Sequence, residues 1–229
     1  MRQGVLCGLT FTVPDGLDPD EEILERYGNR SQTQRYKVQP GDTVVELGAF
    51  VGFHAMRLAQ AVGPTGRVIA VEMMPEYAQI CRRNFENNRL TQATVVPCAV
   101  ATKDAWAEAH CDRHQRNSLV GGIVQNDGSA QRSVMVPALT VDQILDKQEV
   151  SKCDLLIVQI NGTEIEALRA VKNWDRIRNI AVATQYWKGG HDFRWYTPWS
   201  CPPLVELLTQ NGFQAEEINS WVYGRKISS

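Results

Sequence analysis

The sequence has little net charge. Its 24 lysines and arginines nearly balance 26 aspartates and glutamates, for a formal charge of −2 over 229 residues. That withholds the electrostatic footprint with which proteins grip nucleic acid, and no nucleic-acid partner is expected. The small basic groups, Arg82 with Arg83 and Arg35 with Lys37, read as solvated faces. No apolar run approaches the roughly 18 residues of a membrane helix, so no membrane span is expected. The charged-then-apolar pattern of a leader peptide is missing too. The six cysteines, at 7, 81, 98, 111, 153 and 201, form no C-x-x-C pair. They read as reduced thiols, several of them buried, in a cytoplasmic protein. Repeats and low-complexity segments are absent. What is left is a chain that is 43% hydrophobic and long enough for one full core. Residues 1–229 are therefore expected to form a single domain, with 1–40 as an N-terminal cap on the sheet and 41–229 as the core.

The segment Thr43 to Leu58, TVVELGAFVGFHAMRL, carries the strongest signal. Val44, Val45 and Leu47 predict a buried strand that ends beside Glu46 and passes through Gly48 and Gly52 into a helix. Gly48 suits a tight turn and a close backbone approach to a ligand. Gly52 is expected to let the helix pack against the strand. A second apolar strand, RVIAV at 67–71, ends in Glu72, and Pro75 follows where a helix can begin without losing a needed donor. An acid about 20 residues beyond a glycine loop is placed to accept hydrogen bonds from ribose hydroxyls. A dinucleotide site would prefer G-x-G-x-x-G, but Gly48 is followed by Ala49 and Phe50. Glu46 would repel a diphosphate and would suit a cationic, amino-acid-bearing ligand. S-adenosylmethionine fits that description. A dinucleotide site and a ligand-free scaffold are the alternatives.

From Gly41 onward strand and helix patterns alternate. Strands are expected at 43–47, 67–72, 94–98, 154–159 and 179–184, and helices at about 53–61, 75–88 and 164–172. Thr140 to Gln143 and Thr163 to Glu166 read as capping boxes. Pro203 to Asn211 predicts a helix stopped by Gly212. Strands at 213–218 and 221–226, joined at Asn219-Ser220, predict an antiparallel hairpin. The fold class is α/β: a doubly wound, mostly parallel, seven-stranded sheet with a C-terminal antiparallel hairpin. Residues 99–139 are irregular and predict a hairpin or loop excursion over the sheet's carboxyl edge.

Two further constellations stand out. His110, Cys111 and His114 offer three possible metal ligands without a fourth, and no metal site is expected. Tyr186, Trp187, His191, Phe193, Trp195, Tyr196 and Trp199 cluster after the fifth strand. They could line an acceptor pocket or pack the last helix onto the sheet. His191 is the side chain there whose pKa suits general base catalysis.

The chain resembles the FkbM-type methyltransferases, enzymes of the class I, Rossmann-like kind that depend on S-adenosylmethionine. The resemblance runs from about Gly41 to Gly212. It is carried by GDTVVELGAFVGFHAMRLA, GRVIAVEMMPE with NFENNRL, TVVPCAVA, VPALTVDQIL and DLLIVQINGTEIEALRAV. It implies methyl transfer to a hydroxyl of a small molecule, a natural product or a sugar. N-methylation of a small molecule or peptide, or a donor-binding module with decayed catalysis, are the other options. A macromolecular acceptor is a further one, against which the low charge weighs. The cofactor-binding candidates are Glu46, Gly48, Ala49, Phe50, Gly52 and His54, then Glu72, Met73, Cys98, Ala99 and Gln159; His54, which follows the glycine loop, reads equally as an ordinary helix-start histidine. The catalytic candidates are Gln159 and Asn161, with His191 of the aromatic cluster as the candidate base. The family usually has Asp-x-Glu-Gly where this chain has Gln159, Ile160, Asn161 and Gly162. An amide is no general base and a poor ligand for a hard cation. The oligomeric state is left open, a homodimer being one option.

Overall fold

A computed structural model describes residues 1–15, 33–112, 117–119, 130–184, 201–219 and 221–227. The N-terminal strands β1 (Arg2–Leu6) and β2 (Leu9–Val13) form an antiparallel hairpin. The central sheet is built from β3 (Thr43–Leu47), β4 (Arg67–Val71), β5 (Ala93–Val96), β10 (Leu155–Val158), β11 (Asn179–Ala183), β12 (Phe213–Ile218) and β13 (Trp221–Lys226). The strand order is β12-β13-β11-β10-β3-β4-β5. Every pairing is parallel except those of β13 with β11 and with β12. The predicted doubly wound sheet with a terminal hairpin is therefore the observed one.

The near-continuous apolar runs of the central strands follow from burial on both faces. Val44, Leu155 and Ile157 face one core cluster, while Val45, Leu47, Leu156 and Val158 face the other. Helices α1 (Phe53–Val62) and α2 (Pro75–Asn87) cover the first face. Helices α3 (Val141–Lys147), α4 (Glu164–Arg169) and α5 (Cys201–Gln210) cover the second. Pro75 occupies the first turn of α2, as expected. Gly212, at φ +80°, ends the turn after α5.

Three local expectations are corrected. Thr140 makes a full capping box with Gln143 at the start of α3, but Thr163 makes no capping bond at α4. The acid beside it, Glu164, accepts from the preceding loop instead. The excursion after β5 is more than a hairpin. It is a four-stranded sheet of β6 (Ala99–Val100), β7 (Ala105–Asp112), β8 (Asn117–Leu119) and β9 (Ala130–Leu139), in the order β6-β9-β7-β8. The described part of the N-terminal cap, the β1–β2 hairpin, lies on the helices. Phe11 packs edge-on against Phe53 of α1 at 5.4 Å. The fully buried Asn84 of α2 takes the Thr12 N–H at 2.7 Å and donates to the Thr12 and Val51 carbonyls.

Cys81, Cys98, Cys153 and Cys201 are buried thiols and Cys7 is exposed. No helix among the described residues is long and apolar enough to cross a membrane.

Candidate active site at the sheet switch point

The chain winds from β3 outward through β4 to β5, then returns to β10 on the other side of β3. Neighbouring strands thus lead away in opposite directions, and the crevice at their carboxyl ends is where open α/β sheets bind ligands. Glu46 lies opposite Ile157, and Leu47 opposite Val158. Both halves of the site, Glu46 to Gly52 and Gln159 to Glu164, therefore start from one paired edge.

The loop after β3 is pinned at its root, where the Gly48 and Ala49 N–H groups both donate to the Val71 carbonyl at 2.9 Å. Gly48, Phe50 and Gly52 all have positive φ, at 90°, 54° and 80°. Gly48 has a reason beyond the turn itself. A Cβ there would lie 1.9 Å from the Gln159 carbonyl oxygen, so the missing side chain makes room for the β10 loop rather than directly for a ligand. Gly52 differs from expectation as well. Its Cβ would meet Cys81 Sγ at 2.3 Å, so it admits α2 and does not serve packing of α1 on the strand. Phe50 stands edge-on to Tyr77 with centroids 4.7 Å apart.

Three acids are buried around this crevice: Glu46, Glu72 and Glu164, each 4–5% exposed. Glu72 accepts the Phe50 and Met74 N–H groups, each at 2.8 Å. Burial pushes its carboxyl up to about 7 against those N–H bonds, and the nearby Glu46 charge adds to the rise. Glu164 accepts the Ile160 N–H at 3.0 Å and the Gly162 N–H at 2.8 Å. Burial lifts it to about 7 as well. Glu46 is held differently. His54 Nδ1 lies 2.8 Å from its Oε1. Its Oε2 is buried and has no hydrogen-bond partner among the described residues.

These positions suit a cation-bearing nucleoside. An unpartnered buried carboxylate oxygen is costly and is relieved by an ammonium donor. Glu72 uses two of the roughly four acceptor sites of a carboxylate, leaving capacity for ribose hydroxyls. Met73 packs against the first core cluster, and Cys98 and Ala99 are buried just past β5. Ala49 is buried in the loop itself. Gln159 and Asn161 are half-buried at the end of β10, with Asn161 at φ 58°. Gly48 meets the Gln159 carbonyl, and Glu46 lies near enough to Glu72 for its charge to be felt there. His191 and the aromatic cluster from Tyr186 to Trp199 lie outside the described residues, as does His114. His110 Nε2 stands 3.9 Å from Glu108 Oε2. No group of three or more His, Cys, Asp or Glu able to hold a metal occurs among the described residues.

Glu164 and Asn84 belong to this architecture but were not among the anticipated site residues. The signal for Glu164 was an acid directly after Asn161-Gly162-Thr163, where a turn exposes N–H groups. For Asn84, an amide inside an apolar helix face was the available sign.

The family described as "Methyltransferase FkbM domain" matches residues 46–221. The chain belongs to the FkbM methyltransferase family. The residues around the crevice described above suit S-adenosylmethionine as a methyl donor. Among curated proteins, a protein-L-isoaspartate O-methyltransferase of Methanopyrus kandleri is 38% identical over 81 residues, 35% of this chain and 36% of that protein. An arsenite methyltransferase of Halobacterium salinarum is 47% identical over 49 residues, 21% of this chain and 12% of that protein. The matched part is well under two thirds of each relative's length. Among solved structures, a precorrin-6y C5,15-methyltransferase of Geobacter metallireducens superposes with TM-score 0.53 at 16% identity, covering 95% of this chain and 94% of that one. Aeropyrum pernix fibrillarin, solved with S-adenosyl-L-methionine bound, gives TM-score 0.51 at 12% identity, covering 87% and 74%. At these identities the likeness is one of fold.

Proposed function

We propose that this FkbM-family chain transfers the methyl group of S-adenosylmethionine to a hydroxyl of a small molecule, a natural product or a sugar. The observation that carries the reading is the buried acid pair at the switch point, with Glu46 Oε2 unpartnered and Glu72 anchoring the glycine loop. The donor, when bound, supplies an electrophilic methyl group. The chain's residues contribute position. Glu46 holds the ammonium end, Glu72 the ribose, and the loop of Gln159 to Gly162, tied down by Glu164, faces the reacting end. Alignment of this kind is worth roughly 7–11 kcal/mol of barrier. Gln159 and Asn161 contribute hydrogen bonds to donor or acceptor but no proton transfer, since amides are not bases at neutral pH. A hydroxyl acceptor therefore needs its base elsewhere, a step worth about 10²–10⁴ in rate, and His191 is our candidate.

The net charge of −2 offers nucleic acid no attraction and so favours a small acceptor over RNA. The same amide pair favours a second reading, N-methylation, because an amine that is free at working pH requires less of a base. Incubation with methyl-labelled donor and paired acceptor sets, alcohols against amines of matched skeleton, tests the choice. Label in the alcohols that is reduced on His191→Ala supports the reading. Label confined to amines would replace it with N-methylation, and donor binding without any transfer would leave a binding module.

A further inference from the structure

We propose that His54 is a positioning residue that sets donor affinity by presenting Glu46. The proposal rests on the donor reading given above.

The three buried acids of the crevice are supported unequally. Glu72 and Glu164 each receive two backbone N–H groups. Glu46 receives none among the described residues, and the His54 ring is its hydrogen-bond partner there. Both side chains are sheltered, at 11% exposure for His54 and 7% for Glu46. His54 is the second residue of α1, so the ring is fixed to the helix that follows the glycine loop. A carboxylate with a single anchor keeps its orientation only while that anchor donates. With its proton on Nδ1, His54 donates to Oε1 and leaves Oε2, the oxygen without a partner, to the ligand's ammonium.

The groups facing this pair come from three directions. Glu46 itself ends β3. Glu72, at the end of β4, senses the Glu46 charge. Cys81 of α2 also senses it, and burial holds that thiol well above its ordinary value, so it stays uncharged across the neutral range.

The experiment is calorimetric titration at pH 8.0 with two probes, S-adenosylhomocysteine and 5′-methylthioadenosine. The first carries the ammonium-bearing amino acid end; the second carries the adenosine without it. His54→Gln keeps a donor to Glu46, so it should bind S-adenosylhomocysteine within about threefold of wild type. His54→Leu removes the donor and should bind S-adenosylhomocysteine about tenfold more weakly at pH 8.0. Neither variant should change 5′-methylthioadenosine binding, which a purely structural role would disturb together with the other. Wild-type S-adenosylhomocysteine affinity in His54→Leu, or equal losses for both probes, overturns the proposal and leaves the donor site standing. Failure of both probes to bind wild type overturns the donor reading, and this proposal with it.

Discussion

Gly48→Ala tests the architecture of the site with one methyl group. The new Cβ would sit 1.9 Å from the Gln159 carbonyl oxygen, and Cβ contacts under 3.0 Å essentially never occur. The opposing atom is backbone, so the β3 and β10 loops must part by roughly 1 Å, an overpacking strain of about 1–3 kcal/mol. That movement pulls on the Gln159 N–H bond to the Leu47 carbonyl, 2.9 Å in the intact site. Its loss costs about 1 kcal/mol. Positive φ adds roughly 1–2 kcal/mol for any L side chain. The total, about 3–6 kcal/mol, is a large share of the roughly 5–15 kcal/mol that holds a domain folded. Gly41→Ala is the control, because Gly41 has the same φ of +90° but its nearest atom, Thr65 Oγ1, is 3.8 Å away. It carries only the conformational strain of about 1–2 kcal/mol. Urea unfolding of both variants, with calorimetric titration of S-adenosylhomocysteine, separates the effects. Gly48→Ala should be less stable than Gly41→Ala by about 2–4 kcal/mol and lose at least about tenfold in affinity. Equal stabilities, or unchanged affinity in Gly48→Ala, would refute the claim that the two loops meet at this carbonyl.

Glu72→Ala removes both the ribose acceptor and the anchor of the Phe50 and Met74 N–H groups. Donor affinity should fall by about one to two powers of ten, and wild-type affinity in this variant would mean the ribose lies elsewhere. The ligand-free protein should be more stable near pH 5 than near pH 8. Glu72 and Glu164 rise from 4.5 to about 7 on folding. A raised carboxyl pKa contributes stability that is full below the unfolded value and lost as pH rises through the folded one, on the order of 3 kcal/mol for each group. Denaturation at both pH values checks this, and Glu164→Gln should flatten the slope; stability climbing from pH 5 to 8 would contradict it. Methyl transfer should survive EDTA, because Gln159 and Asn161 are poor ligands for hard cations. Turnover lost to the chelator and restored by magnesium would redirect attention to Glu164 and Asp142.

Much of this fold was legible because its signals are local. The apolar runs at Thr43–Leu47 and Arg67–Val71, Pro75 opening a helix, and Gly212 closing another mark their elements within a residue or two. Glu46 and Glu72 stood out because each is an acid at the end of an apolar strand, but the bonds of Glu72 to the Phe50 and Met74 N–H groups were not readable. What the sequence hid depends on contacts distant along the chain. Nothing near Gly48 announces that its empty side faces the carbonyl of Gln159, or that Gly52 faces Cys81. Thr163 and Glu166 satisfy the spacing of a capping box, yet Glu164 turns back to the N–H groups of Ile160 and Gly162. A sequence pattern records which partner is possible, whereas the loop's positive φ at Asn161 and Gly162 decides which one is met. The four-stranded sheet that includes Ala105–Asp112 and Ala130–Leu139 was hidden by the small inward face of Ala107 and Ala109, too weak an alternation to read as a strand.

Calorimetric titration of the unmodified protein with S-adenosylhomocysteine and, separately, with NAD tests the central claim most directly. The account predicts saturable binding of S-adenosylhomocysteine at one site and no heat with NAD, since Glu46 repels a diphosphate and the second glycine of a dinucleotide loop is replaced by Phe50. Saturable NAD binding with no response to S-adenosylhomocysteine would contradict it.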